Sequence, residues 1–330
     1  MRDLATEKLD RIRKSNQAYY DAQSNTKEVD KLSEDVEKTR TLIIKSMHGL
    51  GDNINQRAFI KELGREVYLD TPWPELYSDL PYVKIVKCDT MLRTQVKNIK
   101  RQAETIYSTA PTKDLLVLKV FYTTRDLQTG SQLKRFWQQF GVKPKVFDLP
   151  DFGRPDFLKL VPPGMRVAVI RPATIRKEWM AASRNPDPAY LAQAAITLMQ
   201  QGYFVISVAD TEPGVEWIIG DEPPADLKFH RGELMVTQLL GLCQNADALV
   251  GGHGWLTHFA MSAKKKALII MGGYGGDNSP AQIADPDFID NSCITFILPD
   301  NYCKCTTMIH PCIKTITGFE DKVRTWIRGL

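Results

Sequence analysis

The sequence predicts an α/β fold of two domains, each a parallel sheet with helices on both faces. Three observations lead to this prediction. The chain has 330 residues, a length that suggests about two domains. From residue 41 onward, short apolar runs of strand length alternate with helical patterns, and this alternation occurs twice. Between the two series lie segments 151–155 and 161–164, whose prolines and glycines are typical of a linker.

Residues 1–40 differ from the rest because they are highly charged, with sparse apolar residues spaced by three and four. Such spacing is typical of a narrow helical stripe, and residues 24–26 (Ser-Asn-Thr) predict a break between two helices. This extension either packs on the neighbouring domain or serves oligomerisation or a polymeric acceptor. The predicted organisation is therefore a helical extension, an N-terminal domain and a C-terminal domain, at residues 1–40, 41–162 and 163–330.

The elements after the extension follow from apolar runs bounded by turn residues. In the first domain, strands are predicted at 41–46, 66–69, 83–86, 115–120 and 145–148. Its helical patterns fall near 54–63, 95–108 and 126–140. In the second domain, strands are predicted at 166–171, 203–209, 247–250, 267–272 and 294–298. Its helical patterns fall near 188–201, 231–245, 255–264 and 319–328. Ligands of such folds bind outside the carboxyl ends of the strands, so two facing domains should enclose a deep cleft.

Composition excludes some classes of protein. Apolar residues make up 43% of the chain, which is ample for two cores. No apolar run approaches the ~20 residues that span a bilayer, and the charged N-terminus is not that of a signal peptide. The net charge of +4 permits an anionic ligand without demanding nucleic acid. The sequence therefore predicts a cytoplasmic protein without a transmembrane segment.

A glycine turn with an acidic residue joins the first predicted strand to the first predicted helix. Residues 49–52 read Gly-Leu-Gly-Asp. The glycines let the backbone turn sharply and approach a ligand, and the helix dipole favours an ionised carboxylate at this place. Asp52 is therefore a candidate catalytic residue at the mouth of the cleft. The alternative is that Asp52 or Asn53 merely caps the helix.

The stretch 171–179 follows the first strand of the second domain and carries Arg171, Thr174, Arg176 and Lys177. Three cations and a hydroxyl at the carboxyl end of a strand suit a diphosphate. The alternative is a solvated loop. Acidic residues follow the next strand at 210, 212 and 216, where one side chain can accept ribose hydroxyls or simply lie at the surface.

A second anion-binding candidate is the stretch 251–258, Gly-Gly-His-Gly-Trp-Leu-Thr-His, which follows a strand and opens a helix. Its small residues leave backbone N–H groups free to meet an anion at the helix N-terminus. The candidate residues are Gly252, His253, Gly254 and His258. The alternative is a tight turn with His258 packed within the helix.

A nicotinamide enzyme is disfavoured. The turn at 49–54 lacks the third glycine of the dinucleotide fingerprint, and Asp70 is the only candidate partner for a ribose. A Walker loop is absent. We therefore predict no NAD.

A cluster of soft ligands lies near the C-terminus, at Cys303, Cys305, His310 and Cys312. Three thiols and an imidazole within ten residues suit Zn or Fe in a closed tetrahedral site. The alternative is a loop of free thiols, and a disulfide is less favoured in a cytoplasmic chain.

Taken together, the glycine turn at 49–52 and the stretches 174–179 and 252–258 resemble the ADP-heptose heptosyltransferases of glycosyltransferase family 9. The order and spacing agree from about residue 41 to the C-terminus. The resemblance implies the GT-B fold of two facing Rossmann-like domains. The first binds the acceptor and the second a nucleotide-sugar, with an ADP-sugar favoured. It also implies inversion at the anomeric carbon, with catalysis that does not depend on a metal.

The resemblance also implies roles for single residues. Asp52 matches the family's general base, Lys177 with nearby Thr174 matches its phosphate-contacting lysine, and Glu216 is the best match to its ribose-binding glutamate. The family's Asp-Ser-Gly turn departs here to Gly252-His253-Gly254, which puts the donor's identity in doubt. Some protein heptosyltransferases similar to this family carry a cysteine-bound iron, which favours a metal at the cysteine cluster.

Three functions are consistent with the sequence: a GT-B glycosyltransferase, a nucleotide-sugar epimerase of the same fold, and a non-catalytic nucleotide-binding module. We favour the glycosyltransferase. Its acceptor is a glycan, a protein side chain or a hydroxymethylated base in DNA, and the basic extension slightly favours a polyanion.

Overall fold

The computed structural model describes residues 26–29, 31–32, 40–102, 105–178, 180–275 and 278–330. The sheet of the first domain has five parallel strands in the order β1-β5-β2-β3-β4. They are β1 (Thr26–Val29), β2 (Thr41–Lys45), β3 (Val67–Thr71), β4 (Val83–Lys87) and β5 (Leu115–Lys119). Its helices are α1 (Leu50–Leu63), α2 (Arg93–Arg101), α3 (Thr124–Thr129) and α4 (Gln132–Phe140).

The sheet of the second domain has six parallel strands in the order β10-β8-β6-β11-β12-β13. They are β6 (Arg166–Arg171), β8 (Tyr203–Val208), β10 (Leu227–Phe229), β11 (Ala248–Gly252), β12 (Ala267–Ile270) and β13 (Ile294–Ile297). A short antiparallel pair stands apart, β7 (Thr174–Arg176) and β9 (Glu216–Ile218). The helices are α5 (Pro188–Gln200), α6 (Val236–Asn245), α7 (Trp255–Ala263), α8 (Pro280–Ile283) and α9 (Phe319–Arg328). Counted along the chain, the sheet order is the 3-2-1-4-5-6 of doubly wound dinucleotide-binding domains, so the predicted fold class is confirmed.

Two predictions about the strands of the first domain are wrong. Residues 145–148 form no strand, and Val146 is 54% exposed. The fifth strand is instead β1, an edge strand beside β5, which lies within the predicted helical extension. The helix prediction is therefore wrong for Thr26–Val29, and most of the remaining extension lies outside the described residues.

Three predicted helices are shorter than their patterns, and the one predicted near 231–245 begins only at Val236. The helix predicted at 95–108 ends at Arg101. The helix predicted at 126–140 is divided into α3 and α4, because Ser131 opens a new helix by accepting a hydrogen bond from the Lys134 N–H at 3.0 Å.

The two domains share an apolar core that includes Ile54 of α1 and Phe259 of α7. The first turns of these two helices meet at Gly51. A Cβ on Gly51 would lie 2.5 Å from Cδ2 of His258 and 3.1 Å from Cα of Trp255, so only glycine permits this approach. The N-termini of α1 and α7 are thereby held together at the domain boundary. Among the described residues, the helices are all too short or too polar to traverse a lipid bilayer.

Candidate active site

A cleft of about 620 Å³ opens between the two domains. It is lined by the turns that follow β2, β5, β6, β8 and β11, at the carboxyl ends of both sheets. The strand order reverses between β2 and β5 in the first sheet and between β6 and β11 in the second. Open α/β sheets bind ligands at such reversals, so this cleft is the candidate active site.

Asp52 lies in the first turn of α1 and lines the cleft. Tyr122 Oη donates a hydrogen bond to Oδ1 of Asp52 at 3.1 Å, and Gln132 Nε2 donates to the same oxygen at 2.5 Å. Within the described part of the chain, no group donates to Oδ2, which leaves that oxygen able to accept a proton. The N-cap of α1 is Gly49 and has no side-chain cap bond, so Asp52 does not act as the cap.

The electrostatic environment of Asp52 suits a base near neutral pH. Burial raises the pKa of this carboxyl to about 6, and the hydrogen bond from Tyr122, the charge of Arg184 and the hydrogen bond from Gln132 oppose the rise. A carboxylate with this pKa is ionised at pH 7 yet more basic than an exposed one. Perturbed carboxyls of this kind are characteristic of functional sites.

Three arginines line the opposite side of the cleft: Arg171, Arg176 and Arg184. None of them has a carboxylate within 4.0 Å among the described residues. Burial lowers the pKa of Arg171 and that of Arg184; the neighbouring cations lower both further, and nearby acidic groups work against the shift. Three cations in one cleft, without a carboxylate in direct contact among the described residues, favour binding of a multivalent anion.

The N-terminus of α7 lies against one of these cations. Nη1 of Arg171 is 3.2 Å from the position that a Cβ on Gly254, the N-cap of α7, would take. The positive end of a helix dipole and a guanidinium repel each other unless an anion lies between them. This placement favours a phosphate at the turn after β11.

Glu216 and Thr174 lie on the paired strands β9 and β7, and the Thr174 hydroxyl donates to Oε1 of Glu216 at 3.0 Å. Oε2 of Glu216 accepts a hydrogen bond from Arg93 of α2 at 2.8 Å. Arg93 also contacts Asp210 at 3.1 Å, so an ion-pair network joins the first domain to the second beside the cleft. Both carboxylate oxygens of Glu216 are thus engaged, and its ribose contact stays a prediction.

The two histidines of the 251–258 stretch are neutral at pH 7. Burial lowers the pKa of His258 to about 4 and that of His253 well below its usual value, and the charge of Arg184 adds to both shifts. Nδ1 of His258 accepts a hydrogen bond from Asn55 Nδ2 at 3.0 Å, which links α7 to α1. His258 therefore lines the cleft and also packs between the helices, which is the alternative that the sequence had left open.

The predicted donor residues do not all meet in the cleft. Lys177 is exposed and Gly252 is buried at the end of β11, and neither lines it. The phosphate contact of Lys177 stays a prediction. Sequence reasoning missed Arg184, which lies in a loop eight residues after Arg176 and reaches the cleft only through tertiary packing.

The predicted metal ligands do come together. The ligand atoms of Cys303, Cys305, His310 and Cys312 all lie within 4.8 Å of one another. Sγ of Cys305 and Sγ of Cys312 are 3.5 Å apart, and Nδ1 of His310 lies 3.3 Å from Sγ of Cys312 and 3.6 Å from Sγ of Cys303. Zn–S and Zn–N bonds of ordinary length give tetrahedron edges of roughly 3.4–3.8 Å. The donor set and its spacing therefore fit a closed zinc or iron site.

Protein purified without chelator is expected to contain about one zinc or iron ion per chain, because four soft ligands are already gathered in one loop. Elemental analysis measures the stoichiometry, and chelation should lower the melting temperature. Cys312→Ser should lose the metal, whereas Cys293→Ser, a cysteine outside the cluster, should retain it. The site would be ruled out if the purified protein contained no metal and its melting temperature did not change on addition of a chelator.

Comparison with known proteins supports the fold. No family model matches the sequence, and no curated protein matches it significantly. Solved structures do match. The bacterial iron-containing dodecameric glycosyltransferase TibC from enterotoxigenic E. coli H10407 has 12% identity and a TM-score of 0.59, covering 90% of this chain and 78% of that one. The E. coli ADP-heptose lipopolysaccharide heptosyltransferase II has 12% identity and a TM-score of 0.52, covering 88% and 99% of the two chains.

A glycosyltransferase family 9 protein from Veillonella parvula DSM 2008 is also similar, with 10% identity and a TM-score of 0.51 over 78% of this chain and 85% of that one. At these identities the likeness concerns the fold. The chain has the two-domain architecture of glycosyltransferase family 9 structures, as its motifs had predicted.

Proposed function

We propose that this protein is a glycosyltransferase that moves a sugar from a nucleotide-diphosphate donor to an acceptor hydroxyl, with inversion at the anomeric carbon. The observation that carries the proposal is the composition of one cleft. Asp52 lines it together with Arg171 and Arg184; among the described residues, one oxygen of Asp52 accepts no hydrogen bond and neither guanidinium has a carboxylate partner. Phosphoryl leaving groups require the cations, and a hydroxyl nucleophile requires the base.

The donor is proposed to be an ADP-sugar. TibC has been crystallised with ADP-D-beta-D-heptose, and heptosyltransferase II is described as an ADP-heptose enzyme. In this chain the diphosphate would lie between Arg171, Arg184 and the N-terminus of α7. Apolar side chains that line the cleft beyond them, Val208, Phe229 and Leu239, offer a surface for a nucleobase. Glu216 is proposed to contact the ribose, with Lys177 as a further phosphate contact from the edge of the site.

The chemical step divides between the two walls. The acceptor oxygen attacks the anomeric carbon as the bond to the diphosphate breaks, and negative charge grows on the departing phosphate oxygens. Arg171 and Arg184 stabilise that charge in a cleft where water screens it weakly. Oδ2 of Asp52 accepts the acceptor's proton, while Tyr122 and Gln132 hold Oδ1 in place.

The metal is proposed to be structural. Cys303, Cys305, His310 and Cys312 would hold a zinc or iron ion that fixes their loop, and none of the four lines the cleft. TibC is described as iron-containing and dodecameric. For this chain, self-association through residues 1–40 is proposed on the sequence pattern alone.

The test is a transfer assay with the full-length protein. ADP-, UDP- and GDP-sugars are offered with glycan, peptide or hydroxymethylated DNA acceptors, and products are identified by mass spectrometry. We expect consumption of an ADP-sugar that depends on one acceptor class. Conversion of the donor at the same rate without acceptor would instead indicate an epimerase, and a chain that binds nucleotide but converts none of these donors would be a binding module.

A further inference from the structure

Arg184 lines the cleft, and among the described residues no carboxylate pairs with its guanidinium. It lies in a loop between β7 and α5, and no hydrogen bond or ion pair of its guanidinium is present among the described residues. A long side chain of this kind is held only if its backbone and its methylene stem are fixed. The contacts that fix this loop therefore decide whether Arg184 points into the cleft.

The backbone of this loop is fixed by the cysteine loop, residues 303–312. The N–H of Ser183 donates to the carbonyl oxygen of Met308 at 2.9 Å, and its hydroxyl donates to the carbonyl oxygen of Thr307 at 3.0 Å. Ser183 is fully buried. Both acceptors lie between Cys305 and His310, so the residue beside Arg184 is bonded to the interior of the cysteine loop.

The stem of Arg184 is fixed through a glycine loop after β12. A Cβ on Gly275 would lie 2.5 Å from Cγ of Arg184, and Gly275 has a φ of 52°, which side chains rarely adopt. The N–H of the same Gly275 donates to Sγ of Cys305 at 3.2 Å. Gly273 adds a second link, because its N–H donates to the carbonyl oxygen of Ser183 at 2.6 Å and a Cβ on it would lie 2.5 Å from Sγ of Cys312.

We propose that the metal site at residues 303–312 positions Arg184 in the donor cleft, so that metal binding and nucleotide binding are coupled. The inference rests on the proposed function of the cleft. The cysteine loop contains neither helix nor strand, so bonds from its four ligands to one ion would be its main constraint. Without them, Thr307 and Met308 lose their fixed positions, and the support of Ser183 and Gly275 loosens with them.

The coupling is measured by a double-mutant cycle on ADP affinity. Calorimetry compares wild-type and Arg184→Ala protein, each as isolated, after chelation, and after Zn²⁺ is restored. In wild-type protein we expect chelation to weaken ADP binding by about 10–100-fold, because the charge-assisted contact of Arg184 is lost, and Zn²⁺ to reverse the loss. In Arg184→Ala the further effect of chelation should be at most about twofold, because the residue that the loop positions is already absent.

A second variant pair tests the route. Gly275→Ala should weaken ADP binding while retaining the metal, because the new methyl group displaces the stem of Arg184. Gly164→Ala is the matched control, since Gly164 also has a positive φ but has nothing within 4 Å of its Cβ position. That control should bind ADP as the wild type does.

Hydrogen–deuterium exchange supplies a readout that needs no nucleotide. Chelation should raise exchange at residues 181–186 and leave α1 unchanged. The coupling would be overturned if chelation lowered ADP affinity equally in wild-type and Arg184→Ala protein. It would also be overturned if chelation did not change hydrogen exchange at residues 181–186. A chain that binds no nucleotide yet shows the exchange change would contradict the proposed function of the cleft and leave the support of the loop by the metal intact.

Discussion

Replacing Asp52 with asparagine is expected to lower the rate of sugar transfer by about 10²–10⁴-fold, the usual contribution of a general base. Asparagine has nearly the shape of aspartate, and its Oδ1 can still accept the hydrogen bonds from Tyr122 and Gln132. The fold and ADP affinity should therefore be retained. Only the ability to take a proton is lost, so kcat should fall rather than donor affinity.

The pH profile of the wild-type protein provides an independent check. Because burial raises the pKa of Asp52 to about 6, the base becomes protonated below that pH, and kcat/KM should fall about tenfold per pH unit on the acid side. Asp70 is a demanding control, since burial raises the pKa of its carboxyl to about 6 as well, but it lies outside the cleft. Asp70→Asn should keep both the wild-type rate of sugar transfer and the fall in kcat/KM at acid pH. Near wild-type transfer by Asp52→Asn with a verified acceptor would show that the base lies elsewhere.

The parts of the fold that could be predicted from sequence are those fixed by local pattern. Buried parallel strands such as β2 and β11 are continuous apolar runs, and the turns that follow them carry Asp52 and Gly254. A strand, a tight turn and a helix bring these residues to the same edge of each sheet whatever the rest of the chain does. The cysteine cluster was equally predictable, because its four ligands lie within ten residues.

The segments whose secondary structure was wrongly predicted depend on contacts with residues distant in sequence. β1 has charged residues and joins the sheet through backbone pairing with β5, which no periodicity reveals. Residues 145–148 have strand-like composition, but Val146 faces solvent and the carboxylate of Asp148 pairs with Arg57 and Lys61 of α1. This segment is therefore an irregular stretch held to helix α1 by ion pairs, and it is not a strand.

Within the candidate site, the sequence could not show which of the cationic side chains line the cleft. Lys177 and Arg184 lie in one stretch between β7 and α5, but of the two only Arg184 lines the cleft, with its stem against Gly275. The partner of Glu216 was equally hidden, because Arg93 lies 123 residues away in the other domain. The sequence could predict a diphosphate site at this cleft but could not show which side chains would form it.

The double variant Arg171→Ala/Arg184→Ala is expected to lose about 10²–10⁴-fold in ADP affinity. Hydrogen bonds to charged groups contribute roughly 1.5–3 kcal/mol each, and neither guanidinium has another carboxylate partner among the described residues to lose. Each single variant should lose about 10–150-fold in calorimetry.

The variant should fold without loss of stability, because two half-buried, mutually repelling cations are removed from the cleft. Arg154→Ala, an exposed arginine outside the cleft, is the matched control and should bind ADP as the wild type does. Lys177→Ala decides the remaining assignment, since a loss comparable to that of Arg184→Ala would move the phosphate contact to the edge of the cleft. If the double variant binds ADP at wild-type affinity, the nucleotide does not occupy the wall formed by β6 and α7, and the proposed donor site is wrong.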